Sequence, residues 1–216
     1  KPLQIPIIGV PPGSEALRNP GSPYLFHLQA GDRAQINAVL GHLATVGITR
    51  IAVVYQDIPF GRTGMALADQ LAPIKGLTIV GSAPMASGSS DGKTAATAMR
   101  KFNAQAYLMI TTNNSGAAFV RDARGSGDQT PIYGLSYVTV QSVVEEVGVA
   151  KATGIGLAQI TPNPQSMKSA LVRDYQAAMK SYAPNVDLSS MSLVGYIAAR
   201  VTVEALRRAK DSSPAT

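Results

Sequence analysis

One unit recurs along this chain. A short apolar run of strand length gives way to a polar turn, and then to a segment whose apolar residues recur at helical spacing. It is clearest at Ile48-Thr49-Arg50-Ile51-Ala52-Val53-Val54-Tyr55-Gln56-Asp57-Ile58-Pro59-Phe60-Gly61, where a buried strand ends in a polar loop and a helix follows from about Arg62. Strand candidates fall at 5–10, 24–29, 50–55, 77–83, 106–111, 131–135 and 153–159. Helix candidates lie between them at 32–46, 62–71 and 91–103, the last with Asp91 as its N-cap. Another helix ends before Gly125-Ser126-Gly127, and a shorter one carries Val140, Val143, Val144 and Val147. Strict β-α-β-α order predicts an α/β fold, a parallel sheet with helices on both faces joined by right-handed crossovers.

Near Thr161-Pro162-Asn163-Pro164 the alternation stops, and two long helices are expected over 165–181 and 190–209. Their stripes are Met167, Leu171, Tyr175, Ala178 and Tyr182 in the first, and Leu193, Ile197, Val201 and Ala205 in the second. A Pro-Asn-Pro hinge before paired helices marks a change of lobe. With 216 residues, 45% of them apolar and 15% charged, the chain is that of a folded protein with a sizeable core. No apolar run approaches the roughly 18 residues of a membrane span. The net charge of +6 is scattered, and its densest cluster, Arg207-Arg208 with Lys210, ends a helix whose dipole it complements. Without a basic stripe interleaved with aromatics, nucleic acid is not an expected partner. Zero Cys and two His leave no expected transition-metal site or other cofactor site.

Two catalytic motifs are nearly present, and each fails at a position its chemistry needs. Ser87-Gly88-Ser89-Ser90-Asp91-Gly92-Lys93-Thr94 is similar to a phosphate-binding loop, but Ser87 stands where the first glycine belongs. Gly134-Leu135-Ser136-Tyr137-Val138 is similar to a nucleophile elbow, but Val138 replaces the glycine that allows its sharp turn. His27 and His42 both precede Ser136, the reverse of the order that motif requires; His27 reads as a packed side chain and His42, within a helix, as a surface or half-buried residue. The expectation is therefore a binder and not an enzyme.

In open α/β sheets, ligands collect at the carboxyl ends of strands. Asp57 and Phe60 fall there after one strand, and Thr111-Thr112-Asn113-Asn114-Ser115 after another. After the first strand, Pro11-Pro12-Gly13-Ser14 leads into an expected helix with Ser14 as N-cap. Its first-turn N–H groups and the Ser14 hydroxyl suit either a small carboxylate or simple self-capping. With Phe60 and Tyr137 as apolar walls, these loops would line a small-ligand cleft.

The segments Pro-Pro-Gly-Ser-Glu-Ala-Leu-Arg-Asn-Pro at 11–20, Tyr24-Leu25-Phe26-His27-Leu28, Arg50 to Gly61, and Gly195-Tyr196-Ile197-Ala198-Ala199-Arg200-Val201 with Glu204-Ala205-Leu206 together resemble one family. It is the periplasmic substrate-binding proteins of branched-chain-amino-acid-type ABC importers, with the type I binding-protein fold. The resemblance implies two α/β lobes with ligand in the cleft between them. By it, 1–29 is part of the first lobe, 30–161 the second, and 162–216 the return to the first. It also implies a receptor missing much of its first lobe, which would bind weakly or not at all by itself and could self-associate through uncovered sheet edge and apolar helix surface. By the same likeness Gly13 and Ser14 hold a ligand carboxylate, Phe60 packs on the ligand, and either Thr112 or Asn113 adds a contact. The position of the family's acidic residue, which accepts a ligand ammonium, is here Ser136. Either Asp57 supplies that charge, or the ligand is uncharged or carboxylate-only, aromatic acids included. The implied function is capture of an amino acid or related small carboxylate in the periplasm for an ABC transporter permease. The alternative is a ligand-sensing domain of a receptor or transcription regulator with the same fold.

Overall fold

The computed structural model describes residues 5–10 and 13–209. Pro11, Pro12, Lys210 and the ends of the 1–29 and 162–216 segments lie outside the described residues. The chain divides into two compact units, one of residues 1–31 with 159–216 and one of residues 32–158.

The larger unit, 32–158, is built on five parallel strands: β3 (Arg50–Gln56), β4 (Thr78–Met85), β5 (Ala106–Ile110), β6 (Ile132–Gly134) and β7 (Ile155–Leu157). Their order is β4-β3-β5-β6-β7. Ile51, Val53 and Leu108 face a core with α1 (Asp32–Thr45) and α2 (Pro59–Leu71). Ala52, Val54 and Met109 face the opposite core, with α3 (Lys93–Lys101), α4 (Asn113–Gly125) and α5 (Val140–Lys151). Residues 51–54 are all fully buried, which explains why β3 reads as an unbroken apolar run: both faces of a parallel strand are covered.

The order of strands matters for function. From β3 the chain crosses to β4 on one side, then returns to place β5 on the other. The connections therefore diverge between the carboxyl ends of β3 and β5. Such a switch point leaves a crevice between the loops, where doubly wound sheets bind ligands.

Element boundaries depart from expectation where side chains intervene. Helix α2 starts at Pro59, not Arg62, because proline at the first helical position loses no hydrogen bond; Phe60 thus rides on its first turn. Gly61 makes this start possible, since a Cβ there would lie 2.0 Å from the Gln56 carbonyl oxygen. Helix α3 starts at Lys93 with Gly92 as its cap residue, so the N-cap assigned to Asp91 is not observed. Instead Asp91 accepts the Lys93 N–H, and Asp122 of α4 reaches across to accept that of Gly92 at 2.8 Å. That contact also fills the false phosphate loop, putting a carboxylate against an amide a phosphate would need.

In the smaller unit, β1 (Ile7–Ile8) pairs in parallel with β2 (Leu25–Phe26), both shorter than their apolar runs. The helix expected from Ser14 is only a 3-10 turn, Glu15–Leu17, and the Ser14 side chain makes no capping bond. His27 is half-buried and bonds the Leu17 carbonyl at 3.1 Å. Helices α6 (Ala170–Tyr182) and α7 (Ser190–Arg208) share a small core of Val172, Tyr175 and Leu193. The stripe expected in α6 holds at its centre, where Tyr175 is buried, and fails at its ends: Met167 precedes the helix, and Tyr182 is 90% exposed. Asn163 and Ser166 accept the N–H groups of Gln165 and Lys168, and this local bonding competes with helix until Ser169.

Candidate functional site

The rim at the carboxyl edge of the large sheet holds six of the eight residues singled out from the sequence. At its centre is one that was not: Gln56, the last residue of β3, which is 0% exposed. A buried primary amide is costly unless its donors and acceptor are matched. Here its nitrogen donates to the carbonyls of Met85 (3.4 Å) and Ala86, after β4. Its oxygen accepts from the Thr112 N–H (3.3 Å) and hydroxyl (3.1 Å), after β5. One side chain therefore ties three strand ends together at the switch point. The Thr112 hydroxyl is turned toward Gln56 and makes no capping bond to α4, whose N-cap residue it is.

Asp57 follows Gln56 and is exposed; its N–H donates to the Met85 carbonyl at 2.7 Å. Its carboxylate receives Arg62 Nε at 2.7 Å. That hydrogen bond, with the cation's field, holds Asp57 below the usual carboxylate range. Its charge thus has a partner in Arg62 of α2, in an exposed pair.

Phe60 is half-buried and meets the Tyr137 ring edge-to-face, with centroids 4.8 Å apart at 73°. The Tyr137 hydroxyl donates to Asp32 Oδ1 at 2.6 Å, and the Ser136 N–H donates to Gln35 Oε1 at 2.9 Å. The elbow-like loop after β6 is therefore fastened by the first turn of α1. Asn113 opens α4 and spends its amide on the loop leading to α5, donating to Ser142 Oγ (2.7 Å) and accepting the Thr139 N–H (2.9 Å).

Phe60 and Tyr137 thus meet through their rings, with Ser136 next to Tyr137 in the same loop, while Asp57 and Thr112 are joined through Gln56 and its partners. Gly13, buried, and Ser14, half-buried, belong to the other unit, just after β1. Sequence reasoning missed Gln56, Asp32 and Gln35. The available signal was a polar residue at a position of the strand or helix pattern that points into the core.

Two open depressions lie elsewhere. One of about 480 Å³, lined by Leu171, Ile197 and Val201, lies on α6 and α7. The other, about 510 Å³, lies where α2 ends and β4 begins. Among the described residues no group of three or more His, Asp or Glu could hold a metal ion, and no helix is long and apolar enough to cross a membrane.

Residues 2–216 match a family profile described as periplasmic binding protein. Among solved structures, an extracellular ligand-binding receptor from Verminephrobacter eiseniae is 32% identical, matches 97% of this chain and 60% of its own, and has a TM-score of 0.86. A substrate-binding periplasmic protein from Ralstonia solanacearum is 26% identical over 96% of this chain and 58% of its own, with a TM-score of 0.87. A possible leucine/isoleucine/valine-binding protein from Rhodopirellula baltica shares the fold at 23% identity, over 98% of this chain and 58% of its own, with a TM-score of 0.89. The chain spans about 60% of the length of these relatives. A search of curated proteins finds no match.

Proposed function

The chain belongs to the periplasmic binding protein family, and from that premise we propose that it is part of an extracytoplasmic solute-binding protein that captures an amino acid or related small carboxylate for an ABC importer. The observation that carries this reading is the rim at the switch point between β3 and β5. Buried hydrogen bonds hold its loops in place there, and an aromatic pair, Phe60 and Tyr137, lines one side. Such an arrangement grips a small molecule by shape and places no nucleophile–base pair beside it.

The rim's chemistry also bears on the solute. An ammonium brought to this wall needs a counter-charge, because a desolvated cation is poorly served by a neutral hydroxyl. Ser136 offers only a hydroxyl, and the Asp57 carboxylate is engaged by Arg62. An aromatic or branched carboxylic acid without an ammonium group therefore fits better than a simple amino acid.

The test is a titration of the isotopically labelled chain with benzoate and with L-leucine to millimolar concentration, followed by amide chemical shifts. Shifts should concentrate at residues 57–60, 111–113 and 136–138, with benzoate the tighter of the two. Phe60→Ala should weaken binding by about 1–3 kcal/mol, the range for a ring that packs directly on its partner. If neither solute moves these amides, or if Phe60→Ala leaves the affinity unchanged, the assignment of this rim as the solute site is wrong.

A further inference from the structure

Two polar side chains of α1 are buried for reasons the helix itself does not supply. Asp32 is 1% exposed and Gln35 is 4% exposed, among Ile36, Val39, Leu40 and Leu43, which serve the apolar core. Placed three apart, they stand on one face of the helix. Burying a carboxylate and an amide there is costly unless each has a specific partner. Both find one in consecutive residues of one loop: Asp32 accepts the Tyr137 hydroxyl at 2.6 Å, and Gln35 accepts the Ser136 N–H at 2.9 Å. Tyr137 in turn meets Phe60 edge-to-face.

Resting on the function proposed above, we infer that Asp32 and Gln35 are positioning residues for the solute wall, holding the Ser136–Tyr137 loop and through it the ring pair with Phe60. Asp32 is also the first residue of the larger unit, so the wall is fastened where the chain enters that unit. The loop's conformation depends on these two acceptors. Gln35 sets its height by fixing the Ser136 amide. Asp32 sets the direction of the Tyr137 ring by accepting a hydrogen bond from its hydroxyl.

A plainer role for Asp32 is to favour the start of α1, and the experiment separates the two. Serine is tolerated in the first turn of a helix, without aspartate's favourable interaction with the helix dipole, and its hydroxyl is too short to reach Tyr137; a loss of helix start alone lowers stability but leaves the Tyr137 ring signals in place. The full chain, with ring-labelled tyrosine and labelled amides, is compared as wild type, Asp32→Ser, Gln35→Leu and Gln35→Glu. Tyr137 is assigned through Tyr137→Phe. Asp32→Ser should shift the Tyr137 ring signals, and Gln35→Leu should speed exchange of the Ser136 amide by about tenfold, the loss of one well-made hydrogen bond. Gln35→Glu keeps an acceptor oxygen and should restore that protection. Each loss variant should weaken benzoate or L-leucine binding, whichever the wild type shows, by a similar factor.

If Asp32→Ser and Gln35→Leu lower stability but leave the Ser136 and Tyr137 signals at their wild-type values, the positioning role is overturned. It is overturned equally if those signals move while affinity for a bound probe does not. If the signals respond as expected and neither probe binds the wild type, the fastening of the loop stands and the proposed function fails.

Discussion

Replacing Gln56 tests how the candidate rim is held. Its amide serves four groups: the carbonyls of Met85 and Ala86, and the N–H and hydroxyl of Thr112. Gln56→Met keeps the volume and removes all four contacts. Met85 retains the Asp57 N–H as a partner, so its carbonyl is not orphaned. Ala86 and Thr112 are exposed, so water can reach both, and the freed Thr112 hydroxyl can turn to cap α4. Two rehydrated groups at about 1 kcal/mol each, less part of a cap, give a cost of about 1–2 kcal/mol. Gln56→Glu behaves differently. At pH 7 it places a negative charge against two carbonyl oxygens in a fully buried position, so the carboxyl is pushed up from its ordinary value. The expected cost is about 3–4 kcal/mol at pH 7. With the folded value raised, the stability of this variant is fully present below the unfolded carboxyl value near 4.3 and is lost as pH rises through the folded value. Urea denaturation at pH 7 and pH 4 reads this out. The chain has eight tyrosines and no tryptophan, so tyrosine fluorescence follows unfolding. Because two units can unfold in separate steps, amide exchange in β3 assigns the transition. If the Glu variant matches the Met variant at pH 7, or if the gap between them ignores pH, Gln56 is not the buried hub described.

The other expectations concern the same rim and its flank. Gly61→Ala puts a Cβ 2.0 Å from the Gln56 carbonyl oxygen and 2.7 Å from its nitrogen, backbone atoms that cannot yield. The start of α2 must move, and a loss of about 3 kcal/mol or more is expected; a melting curve like the wild type's would show that the close approach is not real. Asp122 is held below its usual range chiefly by Arg121, against the opposing effect of burial, with the Gly92 N–H adding to it. A depressed carboxyl stabilises above its unfolded value near 3.9, and that contribution is lost as pH falls through the folded value. Asp122→Asn should therefore cost about 1–2 kcal/mol at pH 7, with the gap to wild type closing at pH 3. A gap of the same size at both pH values would assign the effect to packing and not to charge.

The fold was legible because its signals are local. Residues 51–54 announce a strand covered on both faces, and Ile36, Val39, Leu40 and Leu43 announce one face of α1. Boundaries were less legible wherever a side chain from elsewhere in the sequence decides them. The start of α3 depends on Asp122, 30 positions after Gly92. The delayed start of α6 is local in origin, but its cause is Asn163 and Ser166 competing for backbone N–H groups, which apolar periodicity does not register.

The candidate site divides along the same line. Phe60 and Tyr137 could be singled out as aromatics that follow strand ends; both pack against the core beneath α1 and α2 as well as against each other. Gln56, Asp32 and Gln35 could not, since their partners are remote in sequence: 29, 30 and 56 positions away for Gln56, 105 for Asp32 and 101 for Gln35. Polar residues that the sequence did single out also have partners it does not show. Asn113 has the composition of a ligand contact, yet both ends of its amide join α4 to the loop before α5. Asp57 has a charge suited to an ammonium, yet Arg62 takes it. The polar residues of this rim are largely spent on one another. Under the function proposed above, that arrangement fixes the loops before any solute arrives, so little ordering entropy remains to oppose binding, and selectivity follows the size and flatness of a solute more closely than its charge.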